Sequence, residues 1–561
     1  MMSQAEVTEP VCAVCLVPAK NFCSACKLVK YCGTEHQRQH WKQHKKECRP
    51  FRTAKDDILG RYLMATRDIR ADGTIFIEEP LVVGPKWYLS EQEREIPVMP
   101  CVGCFTPCHM STRRCPRCHW PACSPRCLGL KDPNIHGLEC KILSLGPGPA
   151  KKEDCLSNYY RTDALLVLKC LMLQKQNPKK WHDLLDMQSH EEERKGTELQ
   201  EDAEERIVSY LNSNFLLKPT QKFLSEYDGM LLRRICGIIE TNYMCVSLPT
   251  GIELSGLFYT ACMMEHSCQP NCYFSFDRHN GFRISVIAGR TIQKGEHLKI
   301  MYSNILWNTH MRNEHLAITK HFHCKCERCS DPTELGTYFS ALNCVSATEE
   351  PCDGIQLPKD PLNSKTDWIC DKCAITINGE EVRYLLTQMT EEVETLLAQK
   401  PSIKQVENLM NKLGTFLHNH HYHMFSLKHT LIQLYGKEPG FTINQLSNAL
   451  LEKKLDMCKE LNDICRKLDP STIRLSIYVS IILYEMHTVL VEKSKRLFAL
   501  ENKTLDEVKA LQEEALQHLS LATHLLKKEM DNIAGSKLND CIVKSIEEVK
   551  SLIEKSNLKV Y

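Results

Sequence analysis

Apolar and polar positions alternate along residues 58–83 (ILGRYLMATRDIRADGTIFIEEPLVV), with a break at Asp72-Gly73. That is the period of short, half-buried strands joined by turns. Strand-like runs return within residues 236–303, at YMCVSL, CYFSF, FRISVIA and HLKIMY. Between the two lies a helically spaced segment, residues 158–235. From about residue 380 onward the pattern is nearly all helical, in runs such as EEVRYLLTQMTEEVETLLAQ, NALLEKKLDMCKELNDICRKL and LDEVKALQEEALQHLSLATHLLKK. Gly436, Pro439 and Asp469-Pro470 interrupt it. Strands followed by a long run of helices predict the α+β class. LGPGPAKKEDC (145–155) reads as a linker, and HEEERKGTELQEDAEER (190–206) as a solvated face or mobile loop. HNHHYHM (418–424) reads as a packing turn between helices.

Composition narrows the class. The 561 residues, 43% hydrophobic and 25% charged, suffice for several packed units. Seventy-one basic against seventy acidic side chains leave a net charge of +1, which excludes a bulk basic field for nucleic acid or an anionic membrane. The start, MMSQAEVTEP, has no apolar h-region, and no run is long enough to span a bilayer, so neither a leader nor a membrane anchor is expected.

Thirty-one cysteines change the picture. They fall in C-x2-C pairs beside histidines, the spacing of metal ligands in a reducing compartment. Cys12, Cys15, Cys23, Cys26, Cys32, His36, His44 and Cys48 supply eight ligands, enough for two tetrahedral zinc ions; His40 is an alternative to His36 or His44. Cys101, Cys104, Cys115, Cys118, Cys123, Cys127, His136 and Cys140 repeat the order, with Cys108 left over; two ions are expected here, or one in a degenerate finger. Cys324, Cys326 and Cys329 (C-x-C-x2-C) lack a fourth ligand and require a distant one. Cys344, Cys352, Cys370 and Cys373 read as a ribbon-like site. All-protein ligation leaves no open position for a metal-bound water, so these sites are structural. In modules too small to fold on a core, binding energy supplies the folding energy. The other thiols (Cys155, Cys170, Cys236, Cys245, Cys262, Cys272, Cys458, Cys465 and Cys541) read as buried small hydrophobes.

The first two clusters resemble MYND fingers. The resemblance implies one ion on Cys12, Cys15, Cys32 and His36 and a second on Cys23, Cys26, His44 and Cys48. His266-Ser267-Cys268 followed by Pro270-Asn271, then Gly295-Glu296, Tyr302 and the C-x-C-x2-C tail, resembles a SET domain. The combination is similar to the SET-and-MYND family of protein-lysine methyltransferases, and to its arthropod branch in having an extra N-terminal finger. The resemblance implies residues 1–50 as a MYND zinc finger and 51–100 as the N-terminal part of SET. It places a second finger at 101–140, a helical insert at 141–235 and the SET core at 236–303. A post-SET zinc segment follows at 304–330, a ribbon-like insert at 335–376 and a tetratricopeptide-like helical domain at 377–561. It also supplies Cys268 as the fourth ligand of the tail site, for about six zinc ions in all.

The activity so implied is S-adenosylmethionine-dependent methylation of histone or non-histone lysines. Such a displacement needs alignment of a neutral amine with the sulfonium methyl, exclusion of water and aromatic walls. Tyr302 is the catalytic candidate. Gly60, Arg61, Asn242, Glu265, His266, Tyr302 and Phe322 are the expected cofactor contacts. Three residues depart from the family pattern: Tyr62 stands for a second glycine, Glu265 for the usual asparagine, and Lys320 for a second tyrosine. Tyr62 and Lys320 favour the alternative, a weakly active or inactive SET scaffold whose fingers recruit proline-rich partners in corepression. A protein substrate, a monomeric state, residence in nucleus and cytoplasm, and no sequence-specific DNA or membrane binding complete the expectations.

Overall fold

The computed structural model describes residues 11–57 (without 24, 25 and 27), 59–85, 98–109, 114–146, 155–216, 229–346 (without 249 and 251), 352–499, 505–529 and 533–558. The fold is α+β. Most of the linker at 145–155, and the Cys155 side chain, lie outside the described residues. Among the described residues no helix is long and apolar enough to cross a membrane.

The chain divides into two compact units. One comprises Met1–Glu265 and Cys272–Leu298, the other His266–Asn271 and Lys299–Tyr561. In the first, short antiparallel sheets carry the alternation seen in the sequence. Val82–Pro85, Glu253–Leu257 and Met244–Ser247 form one, in that order; Cys272–Asp277, Arg283–Ala288 and Thr74–Glu78 form another. Ile284, Val286 and Ala288 are buried while their neighbours are half-buried, as a period of two requires. The hairpin Phe51–Asp56 with Gly60–Ala65 turns at Gly60, whose φ of +68° is the left-handed conformation that glycine adopts freely.

The helices Cys155–Gln176 and Gly229–Asn242 share an apolar core with the second finger, in which Leu165, Leu168, Ile235, Ile238 and Trp120 are buried. Where the finger's two turns cross, a Cβ on Gly129 would stand 1.9 Å from the Gly103 carbonyl oxygen, so only glycine fits. The charged run 190–206 is a largely solvated helical face and not a loop. It forms the helices Glu191–Arg194 and Glu198–Ala203; Arg194 is buried, and Arg206 pairs with Asp163 and Asp202.

The second unit holds the cysteine-rich tail, a four-stranded antiparallel ribbon and the helical region. The ribbon order is Leu342–Asn343, Ile355–Pro358, Trp368–Cys370, Thr376–Ile377. Among the described residues seven longer helices follow, from Gly379–Ala398 to Ile533–Leu558. Their starts are written locally: Ser402 and Gln405 form a reciprocal capping box for Ile403–Leu413, and Asn378 caps Gly379–Ala398. Leu427, Leu431, Leu451, Leu461, Ile482 and Leu519, all buried, join these helices in one core. The histidine-rich stretch leads into the helix Tyr422–Leu434, with His421 as its N-cap and His421 and His423 buried.

Candidate functional site

The metal centres form from sequence-distant thiols. Cys12, Cys15, Cys32 and His36 bring their ligand atoms within 4.8 Å of one another, and so do Cys23, Cys26, His44 and Cys48. Cys101, Cys104, Cys123 and Cys127 form a third such group, and Cys115, Cys118, His136 and Cys140 a fourth. The fifth is Cys268 with Cys324, Cys326 and Cys329. In the ribbon, Cys344 lies 3.5 Å from Cys373 and Cys352 lies 3.8 Å from Cys370, and Cys344 interacts with all three of the others. A tetrahedral zinc with bonds of ~2.3 Å spaces its sulfurs by about 3.8 Å. The observed separations match: 3.6 Å for Cys23–Cys48, 3.7 Å for Cys115–Cys140 and 3.5 Å for Cys268–Cys329. The donor sets therefore fit zinc. His36 presents Nδ1, whereas His44 and His136 present Nε2.

Two centres have a second layer of partners that sequence reading missed. Glu139, fully buried, sits 2.8 Å from Nδ1 of His136 and 2.7 Å from Lys169 Nζ, which fixes the ring with Nε2 toward the cysteines. Against the burial that would raise it, the charges of Lys169 and His136 hold the Glu139 carboxyl below its ordinary range. Beneath the tail site, Arg312 Nη2 lies 3.4 Å from Cys329 Sγ, and its Nη1 lies 2.9 Å from Glu334. Arg328 reaches the same carboxylate oxygen at 3.0 Å. All three side chains are buried. Burial would raise the Glu334 pKa, but the two guanidinium charges take it down to about 2. A four-thiolate zinc carries two net negative charges, and Arg312 offsets part of them.

The six-residue loop His266–Asn271 is held against Lys299–Tyr302. Ser267 N–H donates to the Ile300 carbonyl at 2.9 Å, and the buried Asn271 accepts from Lys299 N–H at 2.8 Å. His266 is the hinge of this arrangement. Its Nδ1 accepts from Tyr302 N–H at 3.0 Å, and its Nε2 lies 3.4 Å from Cys268 Sγ. Burial pushes its pKa down to about 4, so the ring is neutral, with its proton on Nε2 facing the sulfur.

The rings of His266, Tyr302 and Phe322 converge, with centroids 5.3 to 6.5 Å apart. Phe322 reaches this cluster because the helix Thr309–Lys320, capped by Asn308, ends at His321 in a left-handed turn. Lys320, the last helical residue, holds its Nζ 5.9 Å from the Tyr302 ring centre.

The other four expected cofactor residues, Gly60, Arg61, Asn242 and Glu265, fall in the first unit. Their side chains are largely engaged. Arg61 is bound by Asp186, through Oδ2 and at 2.6 Å through its main-chain oxygen, so a cofactor contact there falls to the backbone. Asn242 closes the helix Gly229–Asn242, which runs beyond the helical segment 158–235 expected from the sequence. Its amide donates to Gln188 and Ile238 carbonyls, both at 2.7 Å, leaving any cofactor contact to Oδ1. Tyr62 stacks on His297 at 4.3 Å and 25°, and His297 Nδ1 lies 2.9 Å from Glu265. Two of the three departures from the family pattern are thus joined through one imidazole. Of the thiols expected to be buried, Cys170, Cys236, Cys272, Cys458 and Cys465 are; Cys262 is half-buried, and Cys245 and Cys541 are exposed.

Comparison with known proteins agrees with this arrangement. The SET domain family matches residues 60–303, and the MYND finger family matches residues 12–48. The SET domain-containing protein SmydA-8, isoform B, of Drosophila melanogaster is 31% identical over 325 residues, 58% of this chain and 66% of that protein. Isoform A covers 63% of its own length, so the chain spans just under two thirds of either relative. Histone-lysine N-methyltransferase ASHR1 of Arabidopsis thaliana is 24% identical over 66% of this chain and 73% of its own. A solved SET domain, that of LSMT bound to lysine and AdoHcy, aligns over 92% of each chain at 11% identity; its TM-score of 0.29 is too low to carry an inference.

Proposed function

We propose that this chain, a member of the family that joins a SET domain to a MYND finger, is an S-adenosylmethionine-dependent methyltransferase acting on histone or non-histone lysines. The observation that carries the reading is the convergence of Tyr302, His266 and Phe322 beside the Cys268 centre. The cofactor supplies an electrophilic methyl group. Aromatic faces attract a cationic amine as it enters, and burial beside them favours its neutral, reactive form. Tyr302 is the group that orients the amine. The zinc of Cys268, Cys324, Cys326 and Cys329 does no chemistry in this scheme: it fixes the loop that fixes Tyr302.

Calorimetric titration with S-adenosylmethionine, followed by a methyl-transfer assay on histones and cell lysate, tests this. Binding and transfer are expected, with transfer reduced at least a hundredfold in Tyr302→Phe. Absence of binding at millimolar cofactor would overturn it.

Lys320 favours a second reading. Its ammonium over the Tyr302 ring places a positive charge beside the site of a sulfonium and an amine, which opposes both. A scaffold whose fingers recruit proline-rich partners would bind cofactor without transferring the methyl group.

A further inference from the structure

A cavity of about 610 Å³ opens in the second unit between the helix Thr309–Lys320, the ribbon and the helix Gly379–Ala398. Its volume lies in the range of ligand pockets, roughly 300–1,000 Å³. It is not the Tyr302 site. None of Tyr302, His266 and Phe322 lines it, and His310 and Ala317, which do, stand well round their helix from His315, the residue that bonds the Tyr302 backbone.

One wall is apolar: Pro361, Leu362 and Trp368 of the ribbon face Leu386 and Ile318. Leu362 and Ile318 are exposed, although each is large and apolar. The rim is acidic. Among the described residues Glu314 has only His310 within ion-pairing distance, at 3.9 Å, and Glu391 has no ion-pair partner. Burial, with Arg383 adding to it and Glu314 opposing, lowers the His310 pKa, so this ring brings no positive charge near neutral pH. Arg383 also lines the cavity, and Glu380 stands 3.9 Å from it.

Two helix N-termini reach the cavity, but neither is an anion site. Glu334 takes the Thr309 N–H and Asn308 the Met311 N–H; Asn378 takes those of Glu380 and Glu381. Phosphate and nucleic acid are therefore disfavoured, and a cation with apolar flanks is favoured.

We infer that this cavity docks a basic, aliphatic peptide segment of a partner protein, with Lys or Arg side chains on Glu314 and Glu391 and an aliphatic or prolyl side chain against Trp368, Leu362 and Leu386. The inference does not rest on methyl transfer.

The test uses the full chain and two fluorescein-labelled octapeptides, one alternating lysine with leucine and one alternating glutamate with leucine. Fluorescence anisotropy at low salt should show binding of the first only. Glu314→Lys with Glu391→Lys should weaken it at least tenfold, and Leu362→Asp should do the same. Glu394→Lys, on the same helix but not lining the cavity, should leave it within twofold. Unchanged thermal unfolding and unchanged S-adenosylmethionine binding would show that the variants fold and that the reaction site is untouched. Equal binding of the glutamate peptide, no binding of either, or equal weakening by Glu394→Lys would overturn the inference.

Discussion

Nδ1 of His266 accepts the main-chain N–H of Tyr302 at 3.0 Å, and the same ring turns Nε2 toward Cys268 at 3.4 Å. One imidazole thus ties the catalytic candidate to a metal ligand. His266→Phe keeps the ring's bulk and removes both bonds, leaving the Tyr302 N–H without its acceptor. An unsatisfied buried donor costs roughly 1–3 kcal/mol. Cofactor affinity is expected to fall about tenfold while zinc content stays unchanged; metal analysis beside calorimetry checks it. Unaltered affinity would separate Tyr302 from the metal centre.

The stack of Tyr62 on His297 at 4.3 Å explains how a bulky residue occupies a family glycine position: its ring packs on a partner within its own unit. Tyr62→Gly removes that stack and adds backbone freedom. About 1–2 kcal/mol of unfolding free energy should be lost, measured by denaturant titration. An unchanged midpoint would mean that the stack contributes nothing.

Glu334 holds two buried guanidiniums, Arg312 and Arg328. Glu334→Leu leaves both without their carboxylate. Breaking a buried pair in this way costs about 3 kcal/mol or more. A fall in the unfolding midpoint with early zinc release, followed with a chromogenic chelator, is the expected outcome; wild-type unfolding would contradict it.

Glu139→Gln tests the second finger separately. The carboxylate no longer holds His136 and Lys169, and zinc affinity at that centre should fall about 10- to 100-fold. Chelator competition would show one ion of the finger released ahead of the rest. Co-release with the others would contradict the assignment.

His423 is one of several buried or half-buried histidines that make stability fall with acid: its pKa is pushed down to about 4 by burial, as are those of His418, His429 and His487. A histidine that is neutral when folded and protonates at ~6.5 when unfolded contributes stability above that value. The contribution is lost as pH falls from ~6.5 toward 4. At pH 5 the loss is about 2 kcal/mol. His423→Gln should therefore lose about 2 kcal/mol less than wild type between pH 8 and pH 5. Equal losses would show that His423 titrates alike in both states.

The metal groupings were legible in the sequence because thiol spacing is set by local turns. Pairing across the chain was legible only through resemblance: nothing local in HSCQPN points to the tail at Cys324. Strand runs such as FRISVIA carried a clear period of two, whereas HLKIMY forms only the short strand Lys299–Ile300. The helical segment expected to end at 235 runs on to Asn242. The partners Glu139, Arg312 and Glu334 were invisible because a buried charge reads in sequence as an exposed one. So were Tyr62 and Glu265 as a pair, since their link, His297, lies far from both.

The loop thiol Cys268 and the tail thiols close one centre, and the proposed cofactor site depends on it. Metal analysis and S-adenosylmethionine calorimetry on Cys268→Ser test it most directly. One zinc fewer than in the unaltered chain and the loss of measurable cofactor binding are expected. A full zinc complement with unaltered cofactor affinity would contradict it.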